Sequence, residues 1–202
     1  FTRSDSTSIG SDWTEEAGSW EINGNELRTT SANSIAVYAY EPTTDSYTVQ
    51  VEFESAQNNG TFRIYARQDD DNYLCGEVKC GTGGYSKIIS CVAGVETTVA
   101  EIGNGDSPFW LRFCVDNDAG VTAFATIPVS GSSTGPVNNV VVYQGLPPGK
   151  QIAIGVGATL HTSGNIDVES FVIQNYTSAC PDCYFACSGV WPRFEVQVEL
   201  AG

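Results

Sequence analysis

Hydrophobic and polar positions alternate along most of this chain. Tyr47, Val49, Val51 and Phe53 interleave with Thr48, Gln50, Glu52 and Glu54, giving an extended segment one apolar and one wet face. Comparable segments predict strands near residues 62–67, 73–80, 85–92, 95–101, 109–115, 120–127, 151–158 and 167–174, with Glu169, Phe171 and Ile173 alternating on the last. Turn-forming runs separate them: Gly81-Thr82-Gly83-Gly84, Gly103-Asn104-Gly105-Asp106, Asn117-Asp118-Ala119-Gly120 and Pro147-Pro148-Gly149. Two further short strands around Trp20 and Leu27 are predicted to join through an Asn23-Gly24 turn. Many short strands at this spacing mean a sandwich or barrel.

The end of the chain repeats the pattern. Phe194, Val196, Val198 and Leu200 fall on one face, and Glu195, Gln197 and Glu199 on the other. This strand has no hairpin partner, because a connector, Cys180-Pro181-Asp182-Cys183-Tyr184-Phe185-Ala186-Cys187-Ser188-Gly189, precedes it and Gly202 follows. It is expected to pair with a sheet elsewhere in the same molecule or in another.

Composition narrows the class. Valine, threonine, serine, glycine and aromatics abound, and no run of helix formers at helical spacing occurs, as expected of an all-β chain. The 202 residues hold no linker before residue 176 long enough to separate one core from another. The expected organisation is therefore one domain over 1–176, a Cys- and Pro-containing connector over 177–193 and the strand-bearing tail over 194–202. A net charge of −15 leaves no basic patch for nucleic acid, and no apolar run is long enough to insert in a membrane.

Seven cysteines in such a chain favour disulfide bonding and an extracellular setting. Cys75, Cys80, Cys91 and Cys114 sit in or beside predicted strands, and Cys75 would face Cys91 across the Gly83 turn in a symmetric register. The trio Cys180, Cys183 and Cys187 lacks a nearby histidine to complete a tetrahedral zinc set, so disulfide bonding is the default there too.

Three clusters carry a family resemblance: Phe1 and Arg3, then Gly10 and Trp13, then Gly18, Trp20, Ile22 and Leu27. Phe62-Arg63-Ile64-Tyr65-Ala66-Arg67, followed by Asp69-Asp70-Asp71-Asn72-Tyr73, extends it. Together they resemble laminin G-like or concanavalin A-like jelly-roll modules of secreted bacterial proteins and phage tail or fibre proteins, over roughly residues 1–176. The resemblance implies an antiparallel two-sheet jelly-roll sandwich. The fold serves lectins, hydrolases, adhesins and structural proteins alike.

Candidate chemistry is sparse. Concanavalin A-like glycosidases use alternating carboxylates, but Gln50 breaks the pattern ahead of Glu52 and Glu54, and His161 is the only histidine. No enzyme is expected and no cofactor is required. Asp69 and Asp71 are candidate Ca²⁺ ligands in an oxygen-rich turn, with Tyr73 and Tyr85 nearby as candidate sugar-stacking rings. Asn59 and Asn175 head glycosylation sequons.

Two functions are expected. In the first, the chain is a glycosylated structural subunit that binds copies of itself head to tail, its C-terminal strand completing a neighbour and building an extracellular filament. In the second, it is a carbohydrate-binding or adhesin module whose partners are glycans.

Overall fold

The computed structural model describes residues 4–53, 60–79, 83–103, 110–127, 139–157 and 166–177. Alternation is what shapes it. In Thr61–Arg67 the side chains of Phe62, Ile64 and Ala66 enter the core while Arg63, Tyr65 and Arg67 turn outward. The same division recurs at Leu74 and Val78 against Tyr73 and Glu77.

Fourteen strands form two seven-stranded sheets, and no helix occurs among the described residues. The first sheet runs β1 (Trp13–Ala17), β4 (Ile35–Tyr38), β13 (Gln151–Val156), β6 (Thr61–Arg67), β7 (Tyr73–Lys79), β8 (Tyr85–Val92) and β9 (Val95–Gly103). The second runs β12 (Asn139–Tyr143), β11 (Val121–Ile127), β10 (Trp110–Asp116), β5 (Ser46–Phe53), β14 (Ile166–Tyr176), β3 (Glu26–Thr29) and β2 (Trp20–Asn23). Every pairing is antiparallel. One continuous core fills the space between the sheets, including Trp20, Leu27, Val49, Val51, Phe62, Ile64, Leu111, Phe113, Phe124 and Ile154.

A core ring from the opposite sheet presses against the backbone of β7. A Cβ at Gly76 would stand 2.2 Å from the ring of Phe124 on the opposite sheet, so only glycine fits beneath that ring.

Several expectations need correction. The β2–β3 turn is centred on Gly24 and Asn25, with φ of 63° and 69°, one residue later than Asn23-Gly24. Two left-handed residues make the hairpin turn whose twist matches the strands. Cys75 pairs with Ile89, and Cys91 with Tyr73, so the two cysteines do not face each other. They carry free thiols rather than a shared disulfide. In β14 a bulge between Val168 and Ser170 switches the face of the strand. Val168 is in the core and Phe171 and Ile173 pack against it, while Glu169 falls out of that alternation at the irregularity.

Strands β1, β4 and β12 were not predicted. β4 is the apolar run Ile-Ala-Val-Tyr, which lacks alternation because both of its faces are covered: Ala36 faces the core, and Val37 and Ile35 join an outer cluster with Tyr65, Cys75, Ile89 and Ala153. The connector 177–193, apart from exposed Thr177, and the tail strand of Phe194, Val196, Val198 and Leu200 lie outside the described residues, as do Cys80, Cys180, Cys183, Cys187, Asn59, Glu54 and His161.

The Gly76–Phe124 approach makes a direct prediction. Gly76→Ala should destabilise the domain by about 1–3 kcal/mol through overpacking. Urea unfolding measures it, and an unchanged midpoint would mean the sheets have room to move away from each other.

Candidate functional site

The outward side chains of β6, β7 and β8 line up in rows across the first sheet. One row is Gly155, Arg63, Glu77, Lys87 and Glu101, alternating in charge from Arg63 onward. The next is Ala153, Tyr65, Cys75, Ile89 and Thr98, and the third is Gln151, Arg67, Tyr73, Cys91 and Glu96. A largely apolar row thus runs between two polar ones. Above them lies a groove of about 780 Å³, a volume in the range of ligand-binding clefts.

Glu77 is the centre of the charged row. It is only 2% exposed, although it stands on the outside of the sandwich, and donors surround it. The Nε of Arg63 donates to one carboxylate oxygen, and the Lys87 ammonium and Tyr85 hydroxyl donate to the other at 2.8 and 2.7 Å. Lys87 also lies 4.4 Å over the Tyr85 ring. The remaining edge of Arg63 reaches Glu96 at 2.8 Å, and the Tyr73 hydroxyl donates to the same carboxylate. Arg67, 5% exposed, donates to Glu16 at 2.6 and 2.8 Å, to Asp70 at 2.7 Å and to Gln151 at 2.9 Å. The bulge in β1 between Glu15 and Ala17 falls at Glu16.

The electrostatics follow from these contacts. Burial would raise the Glu77 carboxyl, but Lys87, Arg63 and Tyr85 outweigh it and hold the group below the usual carboxylate range. Glu96 is lowered in the same way, burial being overcome by Arg63 and Tyr73. Burial, and then the carboxylate each one touches, pushes the phenols of Tyr73 and Tyr85 up, so both keep their protons and act as donors. Burial likewise raises the Cys75 thiol, which therefore stays a neutral packing group.

The acidic turn has a structural role. Asp69 accepts the Asp71 N–H at 3.0 Å and the Asn72 amide at 2.9 Å, and the Asn72 contact leads in holding its carboxyl below the usual range. Asn72 accepts the Ala93 N–H at 3.2 Å, and the Asp71 carbonyl accepts that of Gly94 at 2.9 Å. The turn is a clasp between the β6–β7 and β8–β9 hairpins. Asp70 is committed to Arg67, and among the described residues no three acidic, histidine or cysteine side chains converge.

Other candidates are scattered. Asn175 is exposed, and its carbonyl oxygen accepts the Thr43 N–H at 2.9 Å. Cys114 is buried on the outer face of the second sheet, where its sulfur accepts the Thr48 hydroxyl at 3.7 Å. Thr48 and Arg112 there are buried, so the face expected to be wet is largely covered. Glu52 on that face is raised by burial and by Glu169, and Ser170 donates to it at 3.2 Å. Two smaller pockets, of 330 and 200 Å³, share Asp45 and Asn117. Sequence reasoning found Tyr73 and Tyr85 but missed Arg67, Glu77 and Lys87; the signal was a charged or aromatic residue at every outward position of Arg63 to Arg67.

No family model matches this chain, and no curated protein matches it. Solved structures do. The carbohydrate-binding module CBM66 from Bacillus subtilis is 10% identical with a TM-score of 0.59, over 81% of this chain and 96% of that one. The exoplasmic/lumenal domain of VIP36 with Ca²⁺ and mannose bound is 13% identical with a TM-score of 0.60, over 82% and 84%. The GH43 protein BlXynB from Bacillus licheniformis is 14% identical with a TM-score of 0.61, and the match spans 85% of this chain but only 38% of that protein. These likenesses establish the fold as a jelly roll of the concanavalin A-like kind. They do not extend to the laminin G or phage-fibre character.

The charged row predicts a pH signature. Because the folded Glu77 and Glu96 carboxyls are lowered, their stabilisation is present above the unfolded value near about 4.3 and is lost as pH falls through the folded values. Glu77→Gln should cost about 1–3 kcal/mol at pH 7, because half-buried Lys87 loses its carboxylate and Arg63 keeps only Glu96, with the deficit closing in acid. Glu52 has the opposite sign: its raised carboxyl withdraws stability as pH rises, so Glu52→Gln should stabilise at pH 7. Urea midpoints against pH check both.

Proposed function

We propose that this chain is an extracellular, non-enzymatic carbohydrate-binding module that holds a saccharide in the groove over β6, β7 and β8. The observation that carries the reading is the groove itself: a 780 Å³ cleft lined by Tyr65, Tyr73 and Tyr85 and by charged groups fixed in advance by one another. Sugar recognition needs directional polar groups beside apolar ring surface, held so that little freedom is lost on binding. The fold likeness supports it, since one neighbour is a carbohydrate-binding module and another was solved with mannose.

Binding suits the groove better than catalysis. Glycoside hydrolysis calls for a carboxyl raised enough to donate a proton, whereas Glu77 and Glu96 are lowered. Recognition here runs through side chains and needs no ion. The self-polymerising reading has no support among the described residues.

A glycan array, followed by calorimetry on the best ligand, tests the proposal. Tyr73→Ala should weaken binding about tenfold or more, a loss near 1.4 kcal/mol, by removing groove surface. Val92→Ser on the exposed β8–β9 tip should not change it, and binding should persist in a calcium chelator. An array without hits, or equal loss from both variants, overturns the reading.

A further inference from the structure

The groove's charges are nearly, but not wholly, balanced. Of the charged side chains that line it, Glu16, Asp70 and Glu77 are each ion-paired, and so are Arg63, Arg67 and Lys87. Lys79 is the exception, with no ion partner or hydrogen bond among the described residues. It sits at the end of β7, with Thr61 opposite on one side and Tyr85 on the other. In a chain of net charge −15, an unspent ammonium within a cleft is a conspicuous local reversal of sign.

Hydrogen-bonding capacity leans the same way. Both oxygens of Glu77 already accept, one of them twice, so the carboxylate at the centre of the groove offers a ligand little free acceptor capacity. Lys79 offers three donors. An acceptor-rich ligand fits that surplus. A neutral sugar hydroxyl can use one such donor, but a carboxylate uses charge as well.

We infer that the groove takes a saccharide bearing a single carboxylate, a uronic acid unit, with that carboxylate on Lys79. The inference rests on the glycan reading above. The charge of the whole chain limits it to a short or terminal acidic unit, because a densely charged polyanion would meet the field of the excess carboxylates before reaching Lys79.

The test compares uronate-bearing oligosaccharides with their carboxyl-reduced counterparts, identical except for the charge, by calorimetry on the intact chain. The wild type should bind the acidic member about tenfold more tightly at low salt, the margin shrinking as salt screens the contact. Lys79→Gln should abolish the margin while still binding the neutral member. Lys150→Gln, which removes a lysine paired with Asp45 elsewhere, should keep it. Polygalacturonate should bind more weakly than the short acidic ligand. Equal affinity of the wild type for both members, or a margin that survives Lys79→Gln, overturns the acidic preference and leaves the glycan reading standing. Binding of neither member, together with a blank array, overturns both.

Discussion

A carboxylate buried on the outside of a sheet is stable only where fixed donors replace the water it has lost. Glu77 meets that condition with three: Arg63, Lys87 and Tyr85. Each lies on a strand whose register must be correct for the contact to exist, since Arg63 stands opposite Glu77 on one side and Lys87 on the other. A slip of one residue in any of these strands would turn its charge toward the core. The charged row therefore ties β6, β7 and β8 together from outside, while Phe62, Ile64, Leu74, Val78 and Ile88 tie them from within.

The same interaction shapes the face that meets solvent. Between the charged rows Cys75, Ile89 and Ala153 are buried in a cluster with Val37 and Tyr65, against which Ile35 and Tyr73 pack. Arg63 continues the network to Glu96 and Tyr73, and Arg67 forms a second one with Glu16 on β1, Asp70 and Gln151. The groove over these residues is thus set before any ligand arrives. Beneath it, Gly76 lets Phe124 rise against the back of β7, so the strand that carries Glu77 and Lys79 is held on both sides.

Much of the fold was legible because a half-buried strand records its environment in a period of two. The runs at Tyr47–Val51 and Phe62–Arg67 show it plainly. Where a strand is covered on both faces, as at Ile35–Tyr38, the period vanishes and the strand goes unread. The bulge at Glu169 breaks it differently, by switching faces within one strand. The site was less legible, since it exists only through pairing. Centring the β7–β8 hairpin on Gly83 placed Cys75 against Cys91; the actual pairing is centred one residue earlier and sets Glu77 against Lys87. The structural role of the acidic turn was hidden for a related reason, because the bonds from Asn72 and the Asp71 carbonyl to the neighbouring hairpin exist only in the folded pairing.

The central claim is that the ordered outer face of the first sheet is a saccharide-binding surface. The most direct measurement is an amide nuclear magnetic resonance titration of the intact chain with the best saccharide found. Shift changes should cluster on Thr61–Arg67, Tyr73–Lys79 and the first half of Tyr85–Val92, the strands that line the groove. Changes confined to the small pockets at Asp45 and Asn117, or to the opposite face around Gln50 and Arg112, would contradict it.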